Sequence, residues 1–332
     1  MFGWTVGRSH ALKYGLLLGR LSAVALAAAL ALTIGFSALE PVFANASGCT
    51  DTWTNTAGGS WFEDGNWSKN APPTATEEAC ITESGTYTVE MAQKSTVTVK
   101  SLTVGGASGT QTLMVASTNG LNAVLTTSAG ITNNKNGAIT LTNAETSGNN
   151  VTIASSISNA GKITTEPAHG GQRVLQGNLT NVEAGALVVN ANTSFNGSKA
   201  ALTDKNTSAI DIASGVQLTA SNESTVANNG GKIVATGNGD LLMEPGTTFN
   251  ENNGVTSGTK PVILRNAALV YSGTGASLIA QHGEGGTLRG NISAGQSLVL
   301  ESTNGENVKS TASASFSSAG SITLTNSETS GN

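Results

Sequence analysis

The chain has 332 residues, of which 38% are apolar, 11% charged and 4% aromatic, with 41 Gly and 6 Pro. Charge is well below the roughly 25% of an average domain, and the net charge is −5. These values exclude the basic footprint of a nucleic-acid binder and the high net charge of a disordered tail, and they point to stacked repeats rather than one large globular core.

At the N-terminus, Arg8, Lys13 and Arg20 accompany a nearly continuous apolar stretch from Leu21 to Phe36, and Ala44-Asn45-Ala46 forms a small-x-small cleavage site. This predicts an export signal over residues 1–46. The apolar run, about 16 residues, is short for a span of about 20, so no membrane span is expected after cleavage. Export permits a disulfide between the two cysteines, Cys49 and Cys80. A loop of about 30 residues closed this way is worth about 3–4 kcal/mol in the chain-entropy model. Ala46-Ser47-Gly48-Cys49 loosely resembles a lipobox, but Glu40 and Pro41 separate Cys49 from the apolar run.

Residues 47–94 form a distinct Trp-rich module with Trp53, Trp61, Phe62 and Trp67. These rings have two readings. They plug the end of a repeat stack, which otherwise exposes core and unpaired strand edges, or they offer flat faces to a sugar. The strand signal Thr86-Tyr87-Thr88-Val89-Glu90-Met91 follows, with period-2 alternation.

Residues 95–332 repeat a short unit: an apolar residue, Thr or Ser, Asn or Asp, a Gly-containing turn, then Ile, Leu or Val. Clear copies run from Ile131-Thr132-Asn133 to Ile139, from Ile157-Ser158-Asn159 to Ile163, and from Leu179-Thr180-Asn181 to Leu187. Looser copies close at Ile210 and Ile233, so the closing residues are 24, 24, 23 and 23 apart. Residues 137–149 return at 320–332, and His169-Gly170 with Leu175-Gln176-Gly177-Asn178-Leu179 returns as His282-Gly283 with Leu288-Arg289-Gly290-Asn291-Ile292. Both offsets lie near whole multiples of 23.

This period predicts an all-β parallel β-helix, a β-solenoid of about 23 residues per coil with a Trp-rich N-terminal cap. About ten coils at roughly 4.8 Å each make a rod of about 50 Å. Small aliphatic residues suit a narrow interior, Gly and Asn suit the turns, and Asn133, Asn159, Asn181 and Asn228 are placed to stack as an amide ladder. The second copy of the 137–149 motif stops at Asn332 where the first continues, so the chain is expected to be the N-terminal piece of a longer protein.

The export signal, the Trp-rich segment ending in Tyr87-Thr88-Val89 and the Leu-Thr-Asn-x-Gly-x-Ile coils resemble the N-terminal repeat region of large secreted bacterial β-strand-repeat surface proteins. The coils also look like autotransporter-adhesin passengers, with a texture shared by actinobacterial surface proteins that carry RHS-type repeats. The resemblance implies a secreted or surface stalk or adhesin, non-catalytic, with host-cell or matrix glycans or proteins as partners.

Chemistry-bearing residues are sparse. Asp204 and Asp211 are 7 apart and fall on different faces of a coil, Asp211 and Asp240 are 29 apart, and Glu223 and Glu244, 21 apart, are the one pair near coil spacing. They read as solvated charges rather than as the paired carboxylates of a glycosidase. His169 and His282 read as turn residues, and Arg173 and Arg289 as outward-facing. Gly237-Asn238-Gly239-Asp240 stands alone where Ca²⁺-binding coils come in tandem. No catalytic residue, metal site or cofactor is assigned. The alternatives are a carbohydrate-active β-helix enzyme, a polysaccharide lyase or hydrolase, or a spacer displaying a downstream effector.

Overall fold

The computed structural model describes residues 48–92, 96–118, 120–143, 148–167, 170–303 and 305–327. The leader expected over 1–46, and His169, lie outside them. The described residues form a β-solenoid of about ten coils with about 24 residues per coil. Among the described residues the only helical element is one 3₁₀ turn, Asp64–Asn66. Three parallel sheets run along the stack, with twelve, nine and eleven strands. They are called the first, second and third sheets here, in the order in which a coil visits them.

The closing residues of the sequence repeat are the column of the second sheet. Ile139 stands beside Ile163, Ile163 beside Leu187, Leu187 beside Ile210 and Ile210 beside Ile233. Strict alternation explains why they point inward: in Gly137–Asn143 every second residue is buried and the threonines between are half-exposed. Each such aliphatic side chain contributes about 1.5–3 kcal/mol by leaving water.

Polar residues enter the interior along the first sheet. Asn133, Asn159 and Asn181 are fully buried. The Nδ2 of Asn133 donates to Oδ1 of Asn159 at 2.7 Å, Asn159 donates to Asn181 at 2.8 Å, and Asn181 to Oδ1 of Asp204 at 3.1 Å. By register the column continues through Asn228 and Glu251 to Tyr271. Asn228 donates to Oε2 of Glu251 at 3.1 Å. At two rungs a turn glycine of the next coil makes room: a Cβ on Gly231 would lie 2.0 Å from Oδ2 of Asp204, and one on Gly254 2.0 Å from Cγ of Asn228. Gly254→Ala therefore forces a buried amide out of line. We expect a loss of about 1–3 kcal/mol, read as faster amide exchange across residues 225–257.

Composition suggests a boundary at 94/95, but packing does not follow it. Glu78–Ile81 pairs with Ser101–Val104, and Tyr87–Met91 with Gln111–Ser117. The solenoid thus begins at Asp51–Thr52. Alternation shows at Tyr87–Met91, but Asp51–Thr52 and Gly59–Ser60 are two-residue strands, too short to display it.

The long sequence echoes are also placed differently from the expected multiples of one coil. Residues 137–143 lie in the second sheet and 321–326 in the third. What recurs is a two-coil cassette. Gln111–Ser117 pairs with Gly137–Asn143, and Gln296–Ser302 with Ser321–Asn326. In both, the leading glutamine is buried and its Oε1 accepts a turn N–H, from Gly106 at 2.6 Å and from Ser293 at 2.8 Å. In the second echo, Leu175 belongs to the third sheet and Leu288 to the first, so the two copies do not occupy equivalent corners.

The second sheet ends at Val255–Ser257. From there the coils alternate between the first and third sheets only; two of them shorten, with Leu264 beside Gln281 and Gln281 beside Leu300, and the last described coil returns to full length, with Leu300 beside Leu324.

Candidate functional site

Cys49 and Cys80 form a disulfide with a Cα separation of 5.7 Å. Trp53, Trp61 and Trp67 are 0, 1 and 1% exposed and belong to the same core as Ile81 and Val89. Trp67 meets Trp53 edge-on at 5.3 Å and Trp61 at 4.7 Å between ring centres. The Trp67 and Trp53 ring N–H groups donate to the carbonyls of Trp61 and Asn55. No indole face is left for a sugar ring, and Phe62 is half-buried beside them.

Arg173, expected to face outward, is 1% exposed. Its guanidinium donates to the carbonyls of Glu166 (2.8 Å), Gly170 (2.8 Å) and Gly171 (2.9 Å), staking the loop before its strand. Five donors in a fixed fork suit a ring of turn carbonyls, which is why a basic residue is tolerated inside. Arg173→Ala leaves these carbonyls unpaired. We expect a loss of about 3 kcal/mol, with lysine failing to rescue, measured by urea denaturation of the three proteins. Arg289 is exposed, as its sequence suggests.

The acidic candidates separate. Asp204 is buried in the first sheet, Asp211 lies in the second and Asp240 in the third. Glu223 and Glu244 pair with different cations, Lys199 at 3.6 Å and Arg265 at 3.4 Å. Burial pushes Asp204 up to about 6, against the bonds it accepts from Ser208, Asn181 and the Lys232 N–H. Burial likewise pushes Glu251 up to about 7, against its bond from Asn228.

Polar chemistry concentrates on the outer face of the third sheet. A carboxamide precedes four successive strands there, Asn122, Asn150, Gln172 and Asn192, and Gln217, which opens the next strand, falls in the same column by register. Three of their oxygens are tied into the backbone ladder. Asn122 Oδ1 accepts the Asn150 N–H at 2.9 Å, Asn150 Oδ1 the Gln172 N–H at 2.8 Å, and Asn192 Oδ1 the Gln217 N–H at 3.0 Å. Gln217 then donates its side-chain amide to Asp240 at 2.9 Å. Burial raises the Asp240 carboxyl above its ordinary range.

Two depressions share Gln217. One, of about 260 Å³, is bounded by Gln172, Asn192, Ser194 and Thr219. The other, of about 460 Å³, is bounded by Leu242, Ile263, Arg265, His282, Thr303 and Glu306. Beside the second, Glu301 accepts bonds from Lys260 at 2.7 Å and meets His282 Nε2 at 3.0 Å. Burial opposes the ionised form of Glu301, but these partners outweigh it and hold the carboxyl below its ordinary range. His282 is thus a strand-end residue oriented by a carboxylate rather than a bare turn residue.

Neither the carboxamide column nor the His282–Glu301 pair stands out at a fixed spacing, because third-sheet coils vary in length. The signal that finds the column is Asn or Gln at the start of five successive third-sheet strands, from Asn122 to Gln217. Comparison with protein-family models, curated proteins and solved structures finds no match to the chain.

Proposed function

We propose that this chain is an exported, non-catalytic β-solenoid that serves as a stalk and adhesive surface at or outside the cell. The observation that carries the reading is the continuity of the parallel stack from Asp51 to Asn326 among the described residues. Such a stack holds its outer rows rigid and presents similar contacts on successive coils. Weak contacts repeated on one rigid body give avidity far above each single affinity. The Cys49–Cys80 bridge suits an oxidising compartment, in keeping with the leader read over 1–46. The reading places the protein with the secreted β-strand-repeat surface proteins it resembles, with host-cell or matrix glycans or proteins as ligands.

A second reading, a carbohydrate-active β-helix enzyme, draws on one observation: His282, oriented by Glu301, borders a depression together with Arg265 and Glu306. One experiment separates the two. The mature chain is immobilised and challenged with cells, matrix proteins and polysaccharides, while retention and release of reducing ends are followed together. The adhesive reading expects retention without release. Steady release that disappears in Glu301→Gln overturns it in favour of the enzyme. No retention of any of them removes the adhesive role.

A further inference from the structure

We infer that the outer face of the third sheet binds a linear, uncharged polysaccharide laid along the solenoid axis, with Asn122, Asn150, Gln172, Asn192 and Gln217 as its hydrogen-bonding rail. The inference rests on the adhesive reading and supplies its ligand class.

The rail repeats once per coil, at about 4.8 Å, so its five members span about 19 Å. An extended β-linked glycan advances by a similar distance per sugar, so successive residues of such a chain meet successive carboxamides in register. A carboxamide offers both a donor and an acceptor, which matches a ligand made of hydroxyls. Here the oxygens of Asn122, Asn150 and Asn192 already hold backbone N–H groups. Their NH₂ groups make no bond to a protein acceptor among the described residues and are the groups left for a ligand. Because each oxygen is pinned, the side chains lose little conformational freedom on binding.

Charge along the groove argues for a neutral chain. The five rail residues carry none. The cations at its far end already face carboxylates, Arg265 with Glu244 and Lys260 with Glu301. The rail ends at the carboxyl of Asp240, which disfavours a polyuronate. Beside the rail stand the hydroxyls of Ser194 and Thr219, and one and two coils past its last member the same column continues as Leu242 and Ile263. Leu242 is buried, so only the half-exposed Ile263 offers an aliphatic surface to the C–H face of a pyranose ring. The other outer faces lack this combination. The first-sheet column Thr132, Ser158, Thr180 and Thr203 has hydroxyls only.

The test is affinity electrophoresis of the mature chain in gels containing hydroxyethylcellulose, glucomannan or polygalacturonate. We expect retardation by a neutral polymer and none by polygalacturonate. Asn150→Asp/Asn192→Asp keeps the oxygens that hold the backbone but removes the NH₂ groups and adds charge. It should weaken binding about tenfold or more, since each lost hydrogen bond is worth about 1 kcal/mol. Gln172→Ala/Gln217→Ala should weaken it similarly without adding charge. Thr132→Ala/Thr180→Ala/Thr203→Ala on the first sheet should leave it unchanged, and matching circular dichroism melts certify the fold of every variant. Retardation that survives both rail variants overturns the inference while leaving the adhesive reading intact. Retardation by polygalacturonate alone overturns the neutral ligand. No retardation in any gel overturns the inference, and the adhesive reading falls with it only if the immobilised chain also retains no cell or matrix protein.

Discussion

Acidification from about pH 8 to about pH 5 should stabilise the middle coils, and Glu251→Gln should produce much of the same gain at constant pH. Both interior acids of the first-sheet column have raised folded values: Glu251 moves from 4.5 to about 7 and Asp204 from 3.8 to about 6. Between the unfolded and folded values, the folded state holds a proton that the unfolded state has lost. Stability therefore falls as pH rises, through 4.5 to 7 for Glu251 and 3.8 to 6 for Asp204. The Glu251 shift corresponds to about 3 kcal/mol.

The column explains why a proton helps. Each asparagine donates its Nδ2 to the next acceptor, but ionised Asp204 has nothing to donate to its register neighbour Asn228, whose Oδ1 is buried without a partner. Glu251 stands next to Tyr271 in the same way, with Oε1 buried and the phenol oxygen buried beside it. The other groups bearing on these acids are Asp211, which raises Asp204, Ser208 and the Lys232 N–H, which lower it, and the Gly254 N–H, which lowers Glu251. Hydrogen exchange of residues 201–271 across that pH range checks the prediction. Protection that is flat or rises with pH would falsify it, as would a Glu251→Gln protein no more stable than the parent at pH 8.

Trp67→Ala should be the most damaging change at the N-terminal end. The ring is the centre of the three-indole cluster, with edge-on contacts on two sides and a bonded N–H. Truncating a buried aromatic costs about 3–5 kcal/mol. In a stack, each coil is held mainly by its neighbours, so damage stays local and spreads only as far as nearest-neighbour coupling carries it. Amides of residues 51–91 should exchange faster, while those beyond residue 150 keep the parent's protection. Uniform loss along the whole chain would show instead that the stack unfolds as one unit, and the local account would fail.

The sequence exposes the fold where the coil length is constant. The second-sheet column from Ile139 to Ile233 stands in the structure as its spacing predicts. So do Asn133, Asn159 and Asn181, because a buried amide needs a partner one coil away. Asp204 interrupts the asparagines before Asn228, which the spacing alone shows as a looser copy of the unit. Where the coil length changes, the reading slips. The echo of residues 137–149 matches a cassette rather than a whole number of coils, and Arg173 follows the requirements of its loop rather than the rule that charge stays outside. The surface column was hidden for a related reason: its members mix Asn and Gln at uneven spacing, and only the strand register aligns them.

The end of the second sheet at Val255–Ser257 has a mechanical consequence. A beam resists flexure in steep proportion to its thickness, and here a three-walled tube becomes a two-walled one within a single turn. Load applied sideways should concentrate at residues 257–277, making that stretch an elbow. The carboxamide rail lies wholly on the thicker side, so a tug on the thinner end would be absorbed by bending before it strained anything held along the rail.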